Sequence, residues 1–197
     1  MRFRRTLRSK PLSEGNVTHP ALKFGRDFRS ALSYGIVCLF TLVVFAPSLP
    51  YLTTEYLGHS ATDMNIAYRH YLTFGVRWLG SGILPQWNPH IFCGTQFLPS
   101  TCATLHHPIN ALLLITLPLP LAANIIIIIH MMLLGCGVTF WSRTLRLSPI
   151  PSALAGILAV SSSGAVGRVF AGHFTIVSTL PWAIWFLALV HNVVRRN

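Results

Sequence analysis

Long apolar runs constrain this chain more than any other feature of its sequence. An α-helix needs about 20 predominantly apolar residues to cross the hydrocarbon core of a bilayer. Four runs approach that length, at about 31–49, 121–141, 151–170 and 175–194. They predict an all-α integral membrane protein with about four transmembrane helices. Only 10% of the residues are charged, which excludes an ordinary soluble globular enzyme.

The distribution of basic residues predicts the orientation. A net charge of +11 would suggest nucleic-acid binding in a soluble chain, but here the Lys and Arg residues flank the apolar runs. If four spans alternate, all fifteen except Arg69, Arg77 and Arg168 fall on one side, as in cytoplasmic loops. We therefore expect a basic cytoplasmic tail over residues 1–30, a membrane domain over 31–197, cytoplasmic N- and C-termini, contacts with membrane lipids and no nucleic-acid partner.

The segment between the first two runs is predicted to be an external loop, residues 51–107. Within it, residues 63–79 have the spacing of an amphipathic helix, with apolar positions at Ile66, Ala67, Tyr71, Phe74 and Trp78. Such a helix lies at the membrane surface or packs on the protein's own outer face, and the pattern leaves both open. Residues 108–117 are apolar but too short to span, which predicts an interfacial helix.

Two polar features fall inside the apolar runs. The third run is diluted by serines at 161–163 and by Gly164 and Gly167. Small residues allow close helix approach and serines seek partners, so we expect this span to pack inside the protein. His130, in the second run, is predicted to have an internal hydrogen-bond partner because a polar group at that depth is costly.

Acidic residues are scarce, and two of the four, Glu55 and Asp63, lie in the external loop. Asp63 stands at the start of the amphipathic helix, where a carboxylate can act as a general base on a hydroxyl or ligate a divalent cation. The alternative is a helix N-cap. Nearby Cys93, Cys102, His106 and His107 match no zinc spacing, so no metal site is predicted. A Cys93–Cys102 disulfide is allowed in an oxidising compartment, and two free thiols are the alternative.

Residues 80–97 are rich in turn formers and aromatic residues, which predicts an irregular but folded loop. The residues expected to shape it are Pro85, Trp87, Asn88, Pro89 and Gly94. The run Gly82-Ile-Leu-Pro-Gln-Trp-Asn-Pro-His-Ile-Phe-Cys-Gly-Thr95, with Thr62-Asp63-Met64 before it and His107-Pro108 after it, resembles the signature of YfhO-type bacterial multispanning membrane proteins. Those proteins belong to the GT-C class of glycosyltransferases that use lipid-linked sugars. Ala171-Gly172-His173 and Pro181-Trp182 are also similar to the family, and the resemblance covers about residues 33–194.

The resemblance implies a site as well as a fold, a GT-C-like N-terminal module. In GT-C enzymes the loop aspartate after the first span is the catalytic carboxylate, and Asp63 matches it. It would deprotonate an acceptor hydroxyl while a polyprenyl-phosphate donor releases its sugar. The leaving phosphate needs positive charge nearby. The candidates for this phosphate or lipid-carrier binding are Arg69, Arg77, Arg168 and His173.

The chain also departs from the family. Gln96 stands where the family has proline and His107 where it has tyrosine, which changes the expected loop shape. Relatives carry many more spans, so the resemblance is to their N-terminal third. Two functions follow as expectations for a bacterial inner membrane. One is a truncated relative of lipid-carrier-dependent glycosyltransferases that act on the periplasmic side, and the other is a non-catalytic accessory subunit packed among other membrane protein subunits. A transporter is disfavoured because no span carries a paired charge relay.

Overall fold

The computed structural model describes residues 20–100 and 102–196, and the side chains of residues 29–100 and 102–195. The chain is mostly helical, with α1 (Pro20–Phe45), α2 (Arg69–Gly80), α3 (Pro108–Thr116), α4 (Leu119–Thr144), α5 (Pro149–Ser161), α6 (Ser163–Phe170) and α7 (Phe174–Arg196). A 3₁₀ helix, Ala46–Tyr51, follows α1, and a π-helix, Met64–Tyr68, leads into α2. Two short strands, β1 (Trp87–Asn88) and β2 (Thr95–Gln96), pair antiparallel. Residues 1–19 of the predicted basic tail lie outside the described residues.

Four helical segments are long and apolar enough to cross a membrane, which supports the predicted all-α membrane protein. They are Arg29–Tyr51, Leu119–Thr144, Pro149–Phe170 and Phe174–Arg195. The second of them, α4, is the centre of the bundle, because 61% of its apolar window is buried against 17% to 28% for the others. The outer helices turn rows of leucine, valine and isoleucine outwards, as a lipid-facing surface requires.

The crossing helices alternate in direction, which gives the bundle two ends. At one end Arg195 Nη1 donates to the carbonyl of Thr144 at 3.1 Å, so the ends of α7 and α4 meet there. We call this the basic end. At the other end Asn124, near the start of α4, bonds to the backbone that follows α1. This is the loop end, and it carries the folded segment 51–107.

The third span packs inside the protein only along α5, where Ser152, Ala153, Gly156 and Val160 are buried. The serines and glycines that predicted this packing do not take part in it. The span is broken at Ser162, where ψ is 143° and the hydroxyl accepts a hydrogen bond from Ala165 N at 3.2 Å. The cap stabilises a new helix start and therefore interrupts the span. Residues 161–164 are exposed and open space surrounds Gly164 and Gly167. The close crossing of this span lies instead at Gly156 of α5, where an added Cβ would lie 2.6 Å from the carbonyl oxygen of Gly135 in α4.

The external segment folds on α2. Phe97 is fully buried, with its ring 4.9 Å from that of Phe74 and 6.0 Å from that of Tyr71. This face of α2 is therefore covered by the protein itself, while Ile66 and Trp78 remain exposed. Of the two placements left open by the sequence, packing on the protein's outer face accounts for most of the helix.

The loop predicted to be irregular contains the β1–β2 ladder, so that expectation was wrong in part. Three successive residues, Phe92, Cys93 and Gly94, have positive φ and turn the chain between the strands. At Gly94 the ring of Trp87 occupies the space of a side chain, which only glycine allows. Pro85 and Asn88 are buried and Pro89 is exposed. Cys93 and Cys102 are both free thiols.

Candidate functional site

Asp63 lies immediately before the π-helix at the loop end. Its backbone is already helical, and its side chain makes no capping hydrogen bond. The N-cap alternative therefore lacks the bond that defines a cap. The carboxylate Oδ2 lies instead 3.3 Å from Nε2 of His173, in the turn between α6 and α7.

His173 links Asp63 to a cation. Its Nδ1 lies 2.9 Å from Nη1 of Arg168. A guanidinium can only donate, so Nδ1 accepts, and a neutral ring then carries its proton on Nε2, which faces Asp63. The three residues form a chain in which Arg168 donates to His173 and His173 donates to Asp63. We call this chain the Asp63 triad.

Backbone contacts bring the two halves of the triad together. His59 N donates to the carbonyl of Phe170 at 3.1 Å, and their rings lie 5.7 Å apart. Gly172 has φ of +72°, and an added Cβ would lie 2.6 Å from Met64 N. Only glycine allows so close an approach in this conformation. The turn before α7 is thus fixed against the residues beside Asp63.

The triad is open on one side and closed on the other. The Asp63 side chain is 58% exposed and that of His173 is 28% exposed. Beneath them, Met64, Ile127 and Val177 border a gap that does not admit a water molecule. The Asp63 side chain is therefore accessible to a ligand from outside, whereas the gap beneath it has no room for water.

The other two sequence candidates lie elsewhere. Arg69 lines a polar cleft of about 530 Å³ together with Glu55, Tyr56 and Asn65. Burial raises the pKa of Tyr56, and the charge of Arg69 opposes that rise. Arg77 is exposed in the last turn of α2. Of the five residues proposed from the sequence, the structure joins Asp63, Arg168 and His173 in the triad.

Asn124 is a functional anchor that sequence reasoning missed. Its Oδ1 accepts from Leu57 N at 2.8 Å, and its Nδ2 donates to the carbonyls of Leu52 and Glu55 at 3.0 and 2.7 Å. This buried amide fixes the start of the external segment to α4. The available signal was a lone amide near the start of an otherwise apolar helix, a placement that requires polar partners.

A second polar cluster lies deeper in the bundle. The helix α3 lies against α4. The His107 ring, at the start of α3, is 5.2 Å from those of His130 and Trp182. His130 is about 16 Å along α4 from Leu119, at 1.5 Å per residue, so α3 begins near the middle of the bundle. The expected partner of His130 is its own helix, through Nδ1 and Ile126 O at 2.8 Å.

Neither a metal-binding cluster nor a known relative identifies the function of the site. Among the residues the structure describes, no three His, Cys, Asp or Glu side chains are placed to hold a metal ion together. Searches against protein-family models, curated proteins and solved structures find no match for the chain. Functional inference therefore depends on the triad and on the resemblance of the loop motifs.

Proposed function

We propose that the chain is a GT-C-like protein of a bacterial inner membrane, related to lipid-carrier-dependent glycosyltransferases, with its loop end on the periplasmic side. The observation that carries the proposal is the Asp63 triad. The carboxylate at the position expected for the catalytic base makes no helix-capping hydrogen bond and lies 3.3 Å from Nε2 of His173. The side chain of Asp63 is 58% exposed at the loop end. We expect that end to lie at the membrane surface, where a lipid-linked donor would be bound.

The triad's geometry suits proton abstraction. The His173 Nε2–H donates to Oδ2 of Asp63 and orients the carboxylate, so the other oxygen can accept the proton of an acceptor hydroxyl. The acceptor oxygen then bonds to the anomeric carbon as the bond from that carbon to the phosphate oxygen breaks. The polyprenyl phosphate departs as an anion. Arg168, beside His173, supplies positive charge for that departing phosphate.

A specific observation also favours the second function, a non-catalytic subunit. The exposed stretch at 161–164 and the open space around Gly164 and Gly167 leave a small-residue helix surface without neighbours among the residues that the structure describes. Small residues allow helices in membranes to approach closely. A helix of another membrane protein subunit would suit that surface. Under this alternative the triad joins the loop to α7 and transfers nothing.

A turnover assay distinguishes the glycosyltransferase function from the non-catalytic one. The purified chain in proteoliposomes is supplied with a panel of radiolabelled polyprenyl-phosphate hexoses, and release of labelled sugar by transfer to water or another hydroxyl is measured. We expect Asp63→Asn to lower the rate by about 100-fold or more. The matched control is Glu55→Gln, the same loss of charge on the other acid of this loop, which should retain activity. An Asp63→Asn protein with the wild-type rate would remove the mechanism. No release from any donor, with stable co-purification of a larger complex, would favour the accessory role.

A further inference from the structure

A groove at the basic end has apolar walls and a polar, positively charged mouth. It lies between α1 and α5 and encloses about 590 Å³. Its apolar lining residues are Leu32, Ile36, Ile150, Ala153, Leu154 and Ile157. Arg29 and Ser148 are the lining residues nearest the basic end, at its mouth. A ligand for such a groove needs a hydrocarbon part and a polar part in that order along the helix axis.

The length of the groove matches one leaflet of a bilayer. From Arg29 to Ile36 on α1 the helical rise is about 10 Å, and from Ser148 to Ile157 on α5 it is about 13 Å. Half of a hydrocarbon core about 30 Å thick is about 15 Å. An acyl chain with its headgroup at the basic end would therefore extend along the groove towards the bilayer midplane.

The charge around the mouth selects the headgroup. Arg143 Nη1 donates to the carbonyl of Leu147, next to Ser148, and Arg146 is exposed in the same connection. Glu55 and Asp63 lie in the external segment at the opposite end, and the one acid close to Arg29 in sequence, Asp27, is outnumbered by Lys23, Arg26 and Arg29. A basic rim over an apolar groove is complementary to an anionic phospholipid.

We propose that the groove between α1 and α5 is a specific binding site for one anionic phospholipid, with its phosphate at Arg29 and an acyl chain between Leu32 and Leu154. The site is separate from the Asp63 triad and holds whether or not Asp63 is catalytic. It makes the basic end a lipid-recognising surface as well as a determinant of orientation.

Native mass spectrometry of the full chain with added lipid tests the proposal. Phosphatidylglycerol should bind one molecule per chain more tightly than phosphatidylcholine. Arg29→Gln should weaken phosphatidylglycerol about fivefold. Leu154→Ser should weaken both lipids. The matched controls are Arg195→Gln, an exposed arginine outside the groove lining, and Leu189→Ser, an exposed leucine on α7, and each should change binding less than the groove variants do.

Three results would overturn the proposal. Equal affinity for phosphatidylcholine would remove headgroup selection, and displacement of the lipid by millimolar glycerol phosphate would indicate a site for a free anion. Equal effects of the groove variants and their controls would indicate non-specific annular lipid. Thermal unfolding of each variant in lipid-free detergent checks that it folds. If Leu154→Ser fails that check, Ile157→Ser on the same wall replaces it and is held to the same expectation.

Discussion

The two ends of the bundle differ in how their connections are built. At the loop end, Asn124, the Phe97 cluster and the close approach of Gly172 to Met64 fasten the external segment to the helices through buried contacts. At the basic end, residues 145–148 join α4 to α5 through local backbone hydrogen bonds, and the side-chain bonds of Arg143 and Arg195 to carbonyls are exposed. Exposed contacts of this kind contribute little to stability. The difference indicates that buried contacts fix the shape of the loop end, whereas the side-chain contacts of the basic end are exposed to solvent.

The largest expected effect is that of Gly172→Ala at the loop end. A Cβ there would meet Met64 N in a backbone conformation that disfavours alanine, so we expect a loss of about 3 kcal/mol in the free energy of unfolding. Gly164→Ala is the matched control in open helix and should stabilise by about 0.5 to 1 kcal/mol. Thermal or SDS unfolding in detergent measures both. Equal behaviour of the two variants would mean that the turn is not fixed against residues 62–64.

Asn124→Leu should have the next largest effect. It leaves Leu57 N and two carbonyls without their partner, for a loss of about 2 kcal/mol. Asn192→Leu, the same change near the basic end, is the control and should change stability by less than about 0.5 kcal/mol. Limited proteolysis adds a second readout, because only Asn124→Leu should speed cleavage within residues 51–60. Similar cleavage of both variants would contradict the anchoring role.

The sequence predicted the parts of this fold that composition encodes locally. Runs of apolar residues marked the crossing helices, and the periodicity of 63–79 marked α2 with its π-helical start. The break at Ser162 was not visible, because serines in an apolar run also suit a buried span. Asp63, Arg168 and His173 were candidates chiefly through resemblance to a family. Their mutual contact depends on how the turn before α7 packs against the loop, which no local pattern encodes.

The change of stability with pH should be smaller than the effects of Gly172→Ala and Asn124→Leu, and it should come in part from His107. Burial, together with the neighbouring His106, lowers the pKa of His107 below its ordinary value of about 6.5. Between the two pKa values the unfolded chain binds a proton that the folded chain does not bind. The free energy of unfolding therefore keeps its full value above about pH 6.5 and falls as pH drops towards the folded pKa. His107→Tyr, which restores the residue of the resembling family, should flatten that slope. Histidine titrates between about pH 7.5 and 5. If the free energy of unfolding changed with pH in that range as steeply in His107→Tyr as in the wild type, His107 would be excluded as the source.

The smallest expected effect is that of Arg195→Gln at the basic end. Its hydrogen bond to Thr144 O is exposed, so water replaces it when the guanidinium is removed, and stability should change by less than about 0.5 kcal/mol. The measurement is thermal unfolding in a zwitterionic detergent, where no anionic lipid contributes. The result is compared with that of Arg168→Gln, which removes an exposed arginine of the triad. Arg168→Gln should also leave stability nearly unchanged but should slow any sugar transfer, because His173 loses its donor. A loss above about 1 kcal/mol for Arg195→Gln would show that the basic end is held by its arginines and would remove the contrast between the two ends.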